Sequence, residues 1–221
     1  MINNIIFDLD GTLVDTIKDI IDSFNKAYRE IPRFINIRIQ KKYLSLPLSQ
    51  AIMKITPSIQ ASELRTLKKA FINHYDSSSL SKTELYPGVD DTLKFLKENK
   101  RRLFIVTNKR ARPTKRILDA FKIDIFDGII TSDSNKGKIL TKQQMLSLLI
   151  KKRSLLKGTM MMIGDTEYDI AAARSCGIIS VAALYGYGKK SNLLKNGPDY
   201  TIKRIEDLKG VISRIERRAT L

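Results

Sequence analysis

The chain has 221 residues, of which 43% are hydrophobic and 29% charged, which excludes a disordered chain and supports a sizeable buried core. One cysteine, Cys176, excludes an intrachain disulfide, and one histidine, His74, argues against histidine-rich metal sites and Ser-His-Asp catalysis. Forty Lys and Arg against 23 Asp and Glu set a formal net charge of +17, which points first to a polyanionic partner such as nucleic acid.

The first apolar run, Ile2 and then Ile5-Ile6-Phe7, is short, β-branched and stopped by Asp8-Leu9-Asp10-Gly11, so it predicts a buried strand. Carboxylates straight after so short a stretch are unlike a signal peptide, and no run is long enough to cross a membrane. A reducing, cytoplasmic setting is therefore expected. From about Thr16 to Glu84, apolar residues recur at helical spacing and Pro32, Pro47 and Pro57 punctuate them, which predicts several short helices. After Tyr86-Pro87-Gly88 a helix is expected from Val89 to about Asn99. Strands are then expected at 103–107, 128–131, 160–164 and 178–182. Helices around Ile117, Met145 and Ala172 separate them.

Near-continuous apolar strands alternating with helices imply an α/β fold: a Rossmann-like parallel sheet with helices on both faces. The first strand has no partner of its own, so it must join this sheet. The expected division is a core of residues 1–15 and 86–221, with residues 16–85 inserted as a helical block after the first strand. In such sheets ligands bind beyond the carboxyl ends of the strands. Four expected strand ends carry polar residues: Asp8/Asp10, Thr107/Asn108, Thr131/Ser132/Asp133 and Gly164/Asp165.

Asp8 and Asp10, two apart on a strand leaving through Gly11, can face one cavity, and Asp165 and Asp169 supply a second acidic pair. Four carboxylates in one pocket stay ionised only with a cation among them, and oxygen donors select a hard ion, Mg²⁺ first. A carboxylate nucleophile beside such an ion suits phosphoryl transfer. That chemistry needs a hydroxyl, which Thr107 offers, and a side-chain cation, for which Lys142 and Lys138 are the candidates.

D-L-D-G-T-L-V-D at 8–15, V-T-N-K at 106–109 and I-G-D-T-E-Y-D-I at 163–170 resemble, in order and spacing, three motifs of the haloacid dehalogenase-like hydrolase superfamily. The resemblance covers essentially the whole chain and is closest to the phosphoglycolate phosphatase-like branch, with its small helical cap. It implies that Asp8 is a nucleophile that becomes phosphorylated and Asp10 a general acid/base. It implies Mg²⁺ held by Asp8, the backbone carbonyl of Asp10 and Asp165, with Asp169 in support. Gly11, Thr107, Asn108 and Lys142 form the implied substrate-binding set. The third motif departs from the usual Lys-Pro pattern: in S-N-K-G-K-I-L-T-K, Lys142 fits best, Lys138 second and Lys136 third. In the cap stretch 43–52, Ser45 stands where the family often has Gly.

The expected function is Mg²⁺-dependent hydrolysis of a small phosphomonoester: phosphoglycolate, a nucleotide, a sugar phosphate or pyrophosphate. A phosphosugar mutase of the same fold is the second enzymatic reading, because it would share Asp8 and Asp10. A basic nucleic-acid binder, or a nucleic-acid end-processing enzyme, is the third. Lys97 to Arg116 holds nine basic residues and one acid. Such runs are spread over several helices without interleaved aromatics, so a solvated basic surface is favoured over a nucleic-acid platform.

Overall fold

The computed structural model describes residues 1–218 except Ser45 and Lys136, so the readings attached to those two residues lie outside the described residues. Six parallel strands form one sheet: β1 (Asn4–Phe7), β2 (Arg102–Thr107), β3 (Gly128–Thr131), β4 (Met160–Gly164), β5 (Ile179–Ala183) and β6 (Tyr200–Ile202). Their order is β3-β2-β1-β4-β5-β6. Phe7 of β1 lies beside Ile105 of β2 on one side and Ile163 of β4 on the other. The chain runs from β1 outward to β2 and β3, then returns to the far side of β1 as β4. The switch point therefore falls between β1 and β4, where the crevice at the carboxyl ends opens in folds of this type.

Helices α4 (Val89–Glu98), α5 (Ala111–Ala120), α6 (Lys142–Arg153), α7 (Glu167–Cys176), α8 (Lys190–Lys195) and α9 (Asp207–Arg218) belong to the same unit as the sheet. Strand side chains alternate between the two faces. On one face Ile6, Phe104, Val106 and Met162 pack against Met145 and Leu149 of α6 and Ala172 and Cys176 of α7. Each of the large apolar side chains among these contributes about 1.5–3 kcal/mol by leaving water. Met160, Met161 and Met162 are fully buried strand residues, and Cys176 is a packing residue of this cluster.

Residues 16–84 form the second compact unit, with α1 (Ile17–Arg29), α2 (Leu48–Ile55), α3 (Ala61–Asp76) and two short 3-10 turns. Phe24 of α1 packs on Phe71 of α3 with ring centroids 4.3 Å apart. The Tyr28 and Thr56 hydroxyls meet at 2.9 Å. Asp19 Oδ2 accepts from Thr83 Oγ1 at 2.7 Å and from Lys82 N at 3.1 Å. His74 pairs with Glu30 across α3 and α1, a surface role consistent with its isolation in the sequence.

Of the elements named above, β6, α8 and α9 go beyond the sequence reading. Tyr-Thr-Ile is too short to show a period of two, and β6 is placed by Val181 and Ala183 of β5, beside Tyr200 and Ile202.

Candidate active site

β1 ends at Phe7, and Asp8 continues its ladder, with its N–H donating to Ile163 O at 2.9 Å. Asp8 shares a sheet face with Ile6, which packs under α6, so its carboxylate meets the first residue of that helix, Lys142. The chain then turns sharply: Leu9 O accepts from Leu13 N at 2.9 Å, and Gly11 takes a φ of +78°. A Cβ there would stand 2.3 Å from Asp165 Oδ2, so a side chain at this position would displace that carboxylate as well as strain the turn.

Lys142 is 4% exposed, and its Nζ lies 2.9 Å from Asp8 Oδ2, 2.8 Å from Asp169 Oδ1 and 3.1 Å from Val106 O. A lysine at a helix start opposes the helix dipole, and burying its ammonium costs more still, so two carboxylates are needed to hold it there. Burial alone lowers the Lys142 pKa, but Asp169 and Asp8 outweigh it and push it above its ordinary value. Lys138, the second candidate, is exposed in the loop before α6.

Asp165 and Asp169 come from the β4 end and the first turn of α7. Asp165 is fully buried; its Oδ2 accepts from Tyr187 N at 2.8 Å and Gly188 N at 3.3 Å, and its Oδ1 from Thr12 Oγ1 at 3.3 Å. Asp169 divides its oxygens. Oδ2 caps α7, accepting from Thr166 N at 3.0 Å and Thr166 Oγ1 at 2.7 Å, while Oδ1 faces Lys142. The residue is thus a helix cap and a site carboxylate at once.

Asp8, Asp165 and Asp169 each bring an oxygen within 4.8 Å of the others, all buried. Burial pushes the Asp8 pKa up to about 6, with Asp169 and Asp10 adding to the rise against Lys142. Burial, then Asp169 and Asp8, hold Asp165 well above the carboxylate range, against the pull of the Tyr187 and Gly188 amides. One ammonium among three acidic groups leaves an excess of negative charge in a dry place. An all-oxygen donor set with that excess fits a hard divalent cation.

Asp10 stands apart from this trio. Its Oδ2 pairs with Lys109 Nζ at 3.0 Å, and Lys109 is a site residue that the sequence reading did not single out, although it closes V-T-N-K. Thr107 ends β2 fully buried, its Oγ1 accepting from Lys109 N at 3.2 Å, and Asn108 beside it is half-buried. The polar residues after β3 do other work: Asp133 Oδ1 accepts from Ala111 N at 2.9 Å at the start of α5 and from Thr131 Oγ1 at 2.6 Å. Thr12 and the Tyr187 amide were also unforeseen; the glycines of Tyr185-Gly186-Tyr187-Gly188 were the available signal. A Cβ at Gly186 would lie 2.3 Å from Asp165 Cβ, so the loop can close on Asp165 only without one.

Comparison with known proteins agrees with this geometry. The haloacid dehalogenase-like hydrolase family matches residues 5–183. A phosphoglycolate phosphatase from Mannheimia succiniciproducens is 28% identical, over 93% of this chain and 96% of that protein. A pyrophosphatase from Halalkalibacterium halodurans is 26% identical, over 96% of this chain and 97% of that protein. The crystal structure of a predicted phosphatase from Clostridium acetobutylicum superposes with a TM-score of 0.86 at 25% identity, over 97% of this chain and 99% of that one. With the acidic trio, its lysine and the parallel sheet in agreement with these matches, the chain is an enzyme that belongs to the haloacid dehalogenase-like hydrolase family.

Proposed function

We propose that this enzyme is a Mg²⁺-dependent phosphatase that hydrolyses a small phosphomonoester through an aspartyl phosphate on Asp8. The observation that carries the reading is the buried trio of Asp8, Asp165 and Asp169 around Lys142 at the switch point of the sheet. Asp8 and Asp165 would hold the ion, with the backbone carbonyl of Asp10, and Asp169 in support. When bound, Mg²⁺ supplies neutralisation of charge on the transferring phosphoryl oxygens.

The chain's own groups carry the steps. A carboxylate oxygen of Asp8 attacks phosphorus, the ester P–O bond breaks, and Asp10 gives its proton to the departing alkoxide. A water then loses a proton to Asp10 and attacks the same phosphorus, and the Asp8–phosphate bond breaks to release inorganic phosphate. Gly11, Thr107 and the Asn108 amide bind the phosphoryl oxygens, and Lys142 orients Asp8 and offsets charge throughout. The helical unit, residues 16–84, takes the part of the family's small cap and governs which ester is accepted. Among the described residues no helix is long and apolar enough to cross a membrane, and a lone buried cysteine suits the reducing cytoplasm.

Hydrolysis of p-nitrophenyl phosphate tests the reading. EDTA should abolish it, excess Mg²⁺ should restore it, and Asp8→Asn should lower it by at least about a thousandfold, the scale expected when a nucleophile is lost. Activity indifferent to EDTA, or intact in Asp8→Asn, overturns it. A panel containing phosphoglycolate, pyrophosphate, sugar phosphates and 5′-phosphorylated oligonucleotides then ranks the substrates. The names of the relatives put the first two at its head.

A further inference from the structure

We infer that Lys109 is the positioning residue for Asp10, holding that carboxylate in the one place from which it can serve both halves of the reaction. The inference rests on the phosphatase reading and deepens it. Each site carboxylate is fastened by groups of the fold. Asp8 is held by Lys142 and by the Leu9 N–H at 2.7 Å, Asp165 by two amides and Thr12, and Asp169 by Thr166 and Lys142. Asp10 sits on the turn after β1 with its side chain 22% exposed, the most open of the four, and the ammonium of Lys109 stands 3.0 Å from its Oδ2.

This pair is unlike the chain's solvent-facing ones. The lysines paired with Asp22, Asp90 and Asp119 have side chains 51%, 62% and 76% exposed, and such pairs contribute little. The Lys109 side chain is 6% exposed. A lysine is seldom buried to that degree unless its charge is paired, and Asp10 brings the opposite charge within ion-pair distance. Its backbone is pinned as well. Its N–H donates to Thr107 Oγ1, and its carbonyl accepts from Ser132 N at 3.2 Å, which ties it to the ends of both β2 and β3. Because β2 is the immediate parallel neighbour of β1, a residue so pinned just past its end reaches across to the turn that carries Asp10. The tether thus links Asp10 to the rigid sheet rather than to a loop.

The test separates the two half-reactions. p-Nitrophenolate departs without being protonated, so phosphoryl transfer to Asp8 does not need Asp10, whereas hydrolysis of the aspartyl phosphate does. Asp10→Asn should therefore release a rapid burst of about one equivalent of p-nitrophenolate followed by slow turnover. Lys109→Met should reproduce the burst and lower kcat at least about tenfold with KM changed much less, and Lys109→Arg should recover part of the rate. In the Asp10→Asn background, Lys109→Met should change turnover by less than about twofold, because two residues acting through one group are not additive.

Lys109→Met with no burst and wild-type turnover overturns the inference. So does a further loss in the double variant. Should Lys109→Met fail to fold, the double variant, which buries no unpaired charge, decides alone: turnover equal to Asp10→Asn supports the tether, and lower turnover refutes it. Failure of the parent reading looks different, since Asp8→Asn would then keep its turnover and Asp10→Asn its full rate.

Discussion

At the scale of single residues, the site is built from side chains that each satisfy two demands. Asp169 is the clearest: one oxygen completes a helix cap with Thr166, and the other meets Lys142. Either role alone would account for an acid three residues after a threonine, and the spacing of Gly164-Asp165-Thr166-Glu167-Tyr168-Asp169 is compatible with both. Lys142 resolves in the same way. Among three lysines in one short segment, spacing could only rank them, whereas an ammonium 2.9 Å from Asp8 requires the side chain to lie on the sheet-facing side of α6. Gly11 yields a prediction at this scale. Its φ of +78° and the 2.3 Å approach of Asp165 Oδ2 to a built Cβ mean that Gly11→Ala must strain the turn and displace that carboxylate. The left-handed conformation alone costs about 1–2 kcal/mol, so the thermal midpoint should fall. The Mg²⁺ concentration giving half-maximal activity should rise, because Asp165 is a proposed ligand. An alanine variant with unchanged Mg²⁺ dependence would separate the turn from the metal site.

At the scale of elements, strands and caps explain most of what could be read in advance. The near-continuous apolar runs Leu103 to Val106 and Met160 to Ile163 are legible as buried parallel strands, since neither contains a polar position. Tyr200–Ile202 is not, because a three-residue strand carries no periodicity and exists through its partner β5. β2 is fastened at its start by Asp127, whose Oδ2 accepts from Leu103 N at 2.7 Å and lies 3.0 Å from Lys97 Nζ of α4. Burial works to raise the Asp127 pKa, but the Leu103 N–H and Lys97 outweigh it and hold it below the usual carboxylate value. An acid whose pKa is lower folded than unfolded stabilises the protein above its unfolded pKa, near 4, and that contribution is lost as pH falls through the folded value. Asp127→Asn should therefore cost about 1 kcal/mol at pH 7, a figure reduced for solvent screening at this half-exposed pair. The difference from wild type should shrink in urea titrations as pH falls below about 4, and vanish only once the folded-state carboxyl is itself protonated. A penalty that persisted there would assign the loss to geometry instead of charge.

At the scale of the molecule, the chain carries a net charge of +17 while the site is itself acidic. Of the excess, residues 16–85 hold 12 basic and 6 acidic side chains, so the positive field belongs to both units. A field of that sign raises the arrival rate of anionic substrates and is screened by salt, with a Debye length of about 8 Å at physiological ionic strength. For a phosphate ester, kcat/KM should fall several-fold between low and high salt with kcat nearly constant, as expected when steering acts on encounter. A salt-independent kcat/KM would leave the charge without a part in catalysis. The same titration with a 5′-phosphorylated oligonucleotide reads the alternative, since contacts to many phosphates impose a far steeper salt dependence.

What the amino-acid sequence determined by itself is the local chemistry. Apolar periods give the alternation of strands and helices, glycine marks the turn after β1, and the acids are placed at strand ends. These follow from interactions between residues close in the chain, and each leaves its mark within a few positions. Only the tertiary structure decided the pairings between Lys142 and Asp8, between Lys109 and Asp10, and between Asp165 and the Tyr187 and Gly188 amides. Their partners lie tens of residues or more apart in the chain. The sheet order β3-β2-β1-β4 brings them to one edge, and no local pattern encodes which of several lysines arrives there. That choice is made by burial, where an ammonium without its carboxylate would be too costly to keep.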